Sequence, residues 1–445
     1  MLHPFGSTSS KVWIYTRAVH NLLINLRRSA IMKDILERCI GLDIHRDSVV
    51  ACLLTGPLDG KAASETISFG TLSTELIRLR EWVIDQDCHY VAMESTGIYW
   101  QPIYERLETC FDGDIHLLVV NARHMKNVPG KKTDMRDAEW IATLLRAGLL
   151  NGSFIPDKPF RELRHLTRYR KNLTFDITAQ KNRIDKVLQS AGFRLSLFIS
   201  DIFGASGRGI MRHLSKHGCI NAAELNHYLK TKTRHKMQDI LTSVNGNLSE
   251  HQQHMLRMML AYLECIEAYK LEIEDAIQSE MKKHQAALAL LCTIPGISTT
   301  SGSSILAEIG TDMNRFPTAQ HICSWAGLSP GNNESAGKRK SSAVTKGNPY
   351  LKSMLCEVAW AVASHKEMYL SQWYWRIKQR KGSKKAIVAL ARKILVLIYS
   401  MLKSGALYDE ACFEQRRLQC EQKRAKRMIS ELTKLGYNIE APKIA

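Results

Sequence analysis

Apolar residues in the first third of the chain fall in short runs, and further on they recur at helical spacing. The stretch 39–55 reads as two strands broken by a polar turn at His45-Arg46-Asp47. Gly56-Pro57-Leu58-Asp59-Gly60 is turn chemistry, and a third strand is expected near 65–69. From 72 to 84 the period becomes helical, with Leu76, Leu79, Trp82 and Val83 on one side. Residues 89–93 and 115–120 predict two more strands, separated by a helix over 98–110. A helix from near Thr133 to Gly148 follows them.

After Pro156-Asp157-Lys158-Pro159 the strand character is lost. Residues 160–192 predict a basic helix in which Leu166, Leu173, Ile177, Ile184, Val187 and Leu188 approximate heptad spacing. A second long helix over 249–283 carries Met255, Met258, Met259, Ile266, Ile273 and Ile277, and a helical segment (201–245) lies between the two. The pair is either an antiparallel stalk or dimerisation arm, or a plain helical bundle. From Ala286 a further helical region begins. Its Ile294-Pro295-Gly296-Ile297 turn precedes a helix through Ile309, which is either a helix-hairpin-helix element offering amides to a phosphate or an ordinary helix start. Segment 327–349 is a polar, basic, Gly-containing loop, followed by helices over 350–363 and 384–403 and a charged helical tail. These shifts set expected boundaries at 1–38 (an extension without assigned role, whose run from Met32 reads as a more natural start), 39–158, 159–285, 286–403 and 404–445.

The chain has 445 residues, 45% of them hydrophobic, which is enough for two or three domains with real cores. Its net charge of +19 favours polyanionic partners through counterion release. The 11 cysteines are odd in number and form no C-x-x-C pair, which speaks against a disulfide framework or a zinc ribbon and fits a reducing cytoplasm. His251 and His254 have no neighbouring pattern that completes a metal site. No secretory signal is evident, and Arg392 and Lys393 interrupt the apolar run 386–402, so a buried helix is expected there rather than a membrane span.

Four carboxylates carry the candidate chemistry. Asp43 and Glu94 each stand at an apolar strand, where an unpaired buried charge is costly, and Asp134 and Asp137 share one face of a helix start. Three hairpin-like strands followed by alternating helix and strand is the order of a ribonuclease H-like α/β sheet. Acids so placed suit Mg²⁺ and phosphoryl transfer with one or two ions. Singly, each has a plain alternative: a turn cap, a helix cap, or an ion pair with Arg136 or Lys132. A second cluster, Gly331 to Lys340 continuing to Lys346-Gly347-Asn348, sets Ser335 before Lys338, Arg339 and Lys340, which reads as a phosphate-facing nucleophile or as a solvated basic loop. A third places Arg376, Lys378, Arg380 and Lys381 after Trp373-Tyr374-Trp375, suited to nucleic-acid backbone with stacking, unless the aromatic residues are core.

Ile40-Gly41-Leu42-Asp43, Glu94-Ser95-Thr96-Gly97 and Lys131-Lys132-Thr133-Asp134-Met135-Arg136-Asp137-Ala138 together resemble the RuvC-like amino-terminal domain of insertion-sequence 110 family transposases. Ile294-Pro295-Gly296-Ile297, Gly327-Leu328-Ser329-Pro330, Ser335-Ala336-Gly337-Lys338 and Lys346-Gly347-Asn348 resemble the carboxy-terminal transposase domain of the same family. The resemblance implies a RuvC-like domain, a coiled-coil segment and a mainly helical transposase domain. It implies that Asp43, Glu94, Asp134 and Asp137 bind Mg²⁺ and that Ser335 is the nucleophile, drawn from a different subunit than the quartet. Lys131, Lys132, Lys338, Arg339, Lys340 and Lys346 would then meet nucleic acid. Implied partners are double-stranded donor and target DNA, a structured guide RNA, and further copies of the chain as a dimer or tetramer. The rival expectations are a RuvC-like Holliday-junction nuclease with water as nucleophile and a catalytically silent nucleic-acid-binding protein.

Overall fold

The computed structural model describes residues 34–95, 97–121, 137–331, 333–335, 338–341 and 343–436. It divides into two compact units, Met1–Ile155 and Pro156–Ala445. The expected extension at 1–33 lies outside the described residues. Residues 34–38, assigned above to that extension, are part of the first unit. Asp34 pairs with the buried Arg146 at 2.7 Å, and the amide of Ile35 donates to the Arg146 carbonyl.

In the first unit, strands β1 (Arg38–Ile44), β2 (Ser48–Thr55) and β3 (Ala63–Gly70) form an antiparallel meander. Helix α1 (Ser73–Asp85) then leads to β4 (Tyr90–Glu94), and α2 (Trp100–Leu107) to β5 (His116–Val120). Both late strands run parallel to β1, giving the order β3-β2-β1-β4-β5. The strand period of two sorts the side chains between faces. Ile40, Leu42, Ile44, Val91 and Met93 pack in one core with Leu76, Leu79, Val83, Ile103 and Leu107 of α1 and α2. Cys39, Cys52, Ala92 and Val120 pack on the other face against Ala138, Ile141, Ala142 and Leu145 of α3 (Asp137–Arg146). The helix expected over 98–110 stops at Leu107. A 3-10 turn at Cys110–Gly113 follows, with Phe111 and Asp112 in the left-handed region, and it turns the chain into β5.

Gly41 fixes how closely α3 approaches. A Cβ there would lie 2.3 Å from the Ala138 carbonyl oxygen and 2.4 Å from the Ala142 amide nitrogen. The helix backbone therefore rests directly on β1.

The second unit opens with α4 (Lys158–Ser190), then α5 (Ala205–His217), α6 (Ala222–Tyr228), a single turn at Thr231–Arg234, α7 (Met237–Ser243) and α8 (Glu250–Met281). α4 and α8 run antiparallel. Gln180 of α4 donates to the Met259 carbonyl at 3.1 Å, whereas Arg170, ten residues earlier in α4, shares a cleft with Glu274, fifteen residues later in α8. Ile210, Met211, Leu214, Leu225 and Ile240 of the intervening helices share one core with Leu173, Ile177, Ile184, Leu188, Leu256, Leu260 and Leu263, so the far end of the pair is closed as a bundle. The seam matches the expected one at Leu173, Ile177, Ile184 and Leu188 and departs from it elsewhere. Leu166 and Val187 are only half-buried, Gln180 is buried against Met259, and Thr167 and Arg170 are buried too, with Arg170 donating to Ser304 Oγ at 2.6 Å and to the Thr300 carbonyl. On α8, Leu256, Leu260 and Leu263 are buried while Met258 is 58% exposed. A list of large apolar residues does not say which side of a helix meets its neighbour.

Helices α9 (Gln285–Cys292), α10 (Thr299–Ile309), α11 (Ala319–Trp325), α12 (Pro349–Ser364), α13 (Tyr369–Lys381) and α14 (Ser383–Ser404) complete the packed part of this unit, and α15 (Glu410–Lys434) follows. The Pro295-Gly296 turn does link two helices. Its following helix, however, is capped internally, the Ser301 amide donating to Ser298 Oγ at 3.3 Å and the Ser298 amide to Ser301 Oγ at 2.8 Å. That favours the ordinary helix start over the phosphate-facing turn. Among the described residues no helix is long and apolar enough to cross a membrane.

Candidate functional site

Two regions of the fold hold the predicted chemistry, one in each unit. In the first, β1 and β4 pair in parallel with Gly41 opposite Ala92 and Leu42 opposite Met93, which brings Asp43 and Glu94 level at the next step. Both alternate onto the face that carries Cys39, Ala92 and α3. Asp43 is largely buried, its side chain 15% exposed, and its Oδ2 lies 3.2 Å from His45 Nε2. Glu94 is half-buried and ends its strand. Asp137 is the exposed first residue of α3, next to the Ala138 that rests on Gly41, so the close β1–α3 approach sets this helix end beside the acidic strand ends. The helix dipole there favours negative charge. Asp134, Lys131 and Lys132 lie outside the described residues. Among the described residues, no group of three or more His, Cys, Asp or Glu side chains is close enough to hold a metal ion. The structure thus brings Asp43 and Glu94 side by side, with Asp137 at the neighbouring helix start.

Buried thiols line the same sheet without chemistry of their own. Burial pushes the Cys39 thiol up to about 12 and that of Cys88 up to about 11. Thiols held protonated in this way are poor nucleophiles.

In the second unit the basic loop forms a two-stranded ribbon, β6 (Asn333–Ser335) and β7 (Lys338–Ser341). Ser335 pairs with Lys338, which puts the serine backbone at the turn of the hairpin and the run Lys338, Arg339 and Lys340 on the returning strand. The ribbon's base is closed by Gly331 donating to the Ala343 carbonyl and Thr345 to the Ser329 carbonyl. Below it the chain crosses itself. A Cβ on Gly347 would lie 2.2 Å from the Gly327 nitrogen and 2.5 Å from the Trp325 oxygen, and Gly327 has φ +69, so both positions require glycine.

The anchor of this loop is a buried charge that sequence reasoning missed. Glu308, 2% exposed, accepts two bonds from Arg168 at 2.7 and 2.9 Å, and its Oε2 lies 3.1 Å from Arg164 Nε. It also accepts from Asn348 Nδ2 at 2.6 Å, while Asn348 Oδ1 caps α12 through the amides of Tyr350 and Leu351. Burial pushes the Arg164 guanidinium down to about 10. The available signal was a single acid in the otherwise uncharged run 299–309, a residue that must find cations if the helix is buried. Of the remaining predicted cations, Lys346, Arg376, Arg380 and Lys381 are exposed, and Lys378 is half-buried over the Trp375 ring.

Comparison with known proteins finds matches that take in both regions. Residues 40–193 match a transposase family model of the IS110 group, and residues 288–375 match the model described as transposase IS116/IS110/IS902 family. Together the two take in more than half of the chain. The transposase for insertion sequence element IS1111A of Coxiella burnetii is 23% identical over 403 residues, covering 87% of this chain and 95% of that protein. The insertion element IS110 43.6 kDa protein of Streptomyces coelicolor is 24% identical over 308 residues, 63% of this chain and 73% of its own. A pilin gene-inverting protein of Moraxella bovis is 31% identical over 134 residues, 29% of this chain and 41% of that protein. The chain spans about two fifths of the length of several such curated relatives. With both family models matched in order, and a full-length relative aligned across nearly the whole sequence, the chain belongs to the IS110 family of transposases.

Proposed function

We propose that this protein is a DNA transposase that cuts and rejoins strands for the mobility of an insertion sequence, with a RuvC-like first unit and a serine nucleophile in the second. The observation that carries the reading is the parallel β1–β4 register, which sets Asp43 and Glu94 side by side on the face against which α3 begins. The strand order β3-β2-β1-β4-β5, antiparallel on one side of β1 and parallel on the other, supports the ribonuclease H-like assignment.

The donor set fits magnesium, which prefers carboxylate oxygen. Asp43, Glu94, Asp134 and Asp137 would hold it, and it would supply charge neutralisation at the scissile phosphate. The remaining chemistry belongs to side chains of this protein. Ser335 Oγ attacks phosphorus, forming an O–P bond as the bond to the leaving sugar oxygen breaks. That oxygen takes up a proton in place of the one the serine gave up. Attack by the hydroxyl of a new strand on the phosphoserine reverses the exchange, so no phosphate bond energy is lost. Lys338, Arg339, Lys340 and Lys346 would neutralise the strand, as would Lys131 and Lys132, just before Asp134 in sequence, and Arg376, Lys378, Arg380 and Lys381 on α13. The pilin gene-inverting relatives favour cut-and-rejoin chemistry over simple hydrolysis.

The reading includes a structured guide RNA that selects donor and target, action in the cytoplasm, and assembly as a dimer or tetramer in which Ser335 serves another subunit's acids. Self-association has a surface to use. Met258, Ala261, Tyr262, Cys265, Ala268 and Tyr269 form an exposed strip of about three turns on α8 without a charged residue.

The test is incubation with Mg²⁺, the element's RNA and labelled DNA, followed by denaturation. The expected result is a covalent protein–DNA adduct that Ser335→Ala abolishes and that Asp43→Asn or Glu94→Gln also prevents while sparing DNA binding. Cleavage without any adduct would instead identify a water-using junction nuclease, and binding without cleavage a silent binding protein.

A further inference from the structure

Three aromatic rings on α12 and α13 meet beside an open groove. Tyr374, buried to 1% exposure, stands edge-on to Trp360 at 6.2 Å and to Trp375 at 5.5 Å between centroids. Both tryptophans reach solvent, Trp360 at 53% and Trp375 at 37% exposed. The Trp375 indole N–H donates to the Ala363 carbonyl at 3.3 Å, which fixes the orientation of its ring. A groove of about 470 Å³ is lined by Lys366, Gln372, Trp375, Arg376 and Gln379, with no acidic side chain among the described residues that line it. The nearby Glu367 takes part through its backbone carbonyl, which accepts from Gln372 Nε2. Lys378 Nζ lies 4.0 Å from the Trp375 ring centroid, so a further cation is held at the same ring.

An immobilised indole, a carboxamide and a set of cations in one groove match the parts of a single nucleotide: a flat base, its polar edge and a phosphate. A base inside a duplex keeps its faces stacked on its neighbours and cannot offer one to Trp375. We propose that this groove binds an unpaired nucleotide, its base stacked on Trp375, its edge facing Gln379 and its phosphate on Arg376 and Lys366. The ligand chemistry is that of a single strand, from DNA opened during the reaction or from an RNA loop. The inference rests on the proposed contact of α13 with nucleic acid and deepens it, but it needs neither the metal nor Ser335.

The test measures fluorescence anisotropy of labelled short oligo(dT), oligo(rU) and a blunt duplex with the full chain, without Mg²⁺. Trp375→Leu keeps an apolar side chain of useful size and should lower single-strand affinity by about 5- to 100-fold while changing duplex affinity less than about twofold. Trp375→Phe, which keeps an aromatic face, should stay within about threefold of the parent. Arg376→Ala should weaken the single strands and flatten their salt dependence. Tighter binding of oligo(dT) or of oligo(rU) names the source, and equal binding means that the site does not read the sugar. The proposal is overturned if neither single strand binds, if Trp375→Leu leaves single-strand binding unchanged, or if it weakens duplex and single strand alike. A cleavage failure in the strand-transfer assay would leave these outcomes untouched.

Discussion

Replacing Gly41 by alanine tests the geometry on which the candidate active site depends. The new methyl would meet Ala138 O at 2.3 Å and Ala142 N at 2.4 Å, where ordinary contact needs more than 3 Å, so α3 must retreat by about 1 Å. Both atoms are backbone, so no side-chain truncation relieves the clash. Overpacking of this kind costs about 1–3 kcal/mol. For a unit of this size that is a fall in Tm of roughly 2–12 °C, at about 2–4 °C per kcal/mol. The retreat moves Asp137 away from Asp43 and Glu94. A displacement of about 1 Å among groups that must act together lowers rate by about a hundredfold. The assay is strand cleavage at a temperature well below the variant's Tm, with circular dichroism melting run in parallel. Wild-type cleavage and wild-type melting in Gly41→Ala would refute the argument that α3 must lie on β1 for the acids to work together. Loss of stability with full cleavage would show that Asp137 does not belong with Asp43 and Glu94.

Two further predictions concern the second unit. Glu308→Gln leaves Arg164 and Arg168 facing a neutral amide in a buried setting and should cost about 3 kcal/mol by urea unfolding, since removing one partner of a buried pair strands the other charge; a loss under about 1 kcal/mol would contradict the anchoring role. Tyr262→Glu places a charge in the uncharged strip of α8 and should lower the assembly mass seen by light scattering. It should also speed alkylation of Cys265 at about pH 8, while Cys39 and Cys88, buried and with their thiols pushed up, stay unreacted in both forms; an unchanged mass and labelling rate would remove α8 from the interface.

The sequence alone carried the order of elements in the first unit, because strands of period two broken by turn residues are local signals. β1, β2, β3, α1, β4 and β5 all lie within a few residues of where the pattern put them. It also carried the placing of Asp43 and Glu94 in apolar strands, since a carboxylate in such a run is conspicuous wherever the strand ends up. What it could not carry was adjacency. That Asp43 and Glu94 are level follows from the parallel β1–β4 pairing, and that α3 begins beside them follows from a missing Cβ at Gly41. Neither is encoded within a single window of residues. The same limit explains why Met258 of α8 turned outward, why Arg170 is buried against Ser304, and why helix α13 was hidden by its charges. It explains Glu308 as well, whose four bonds come from residues 140 and more positions earlier and 40 later. Local periodicity determines which elements form, because backbone preferences act over a few residues. Tertiary packing decides which charges meet, because burial makes an unpaired charge too costly to keep.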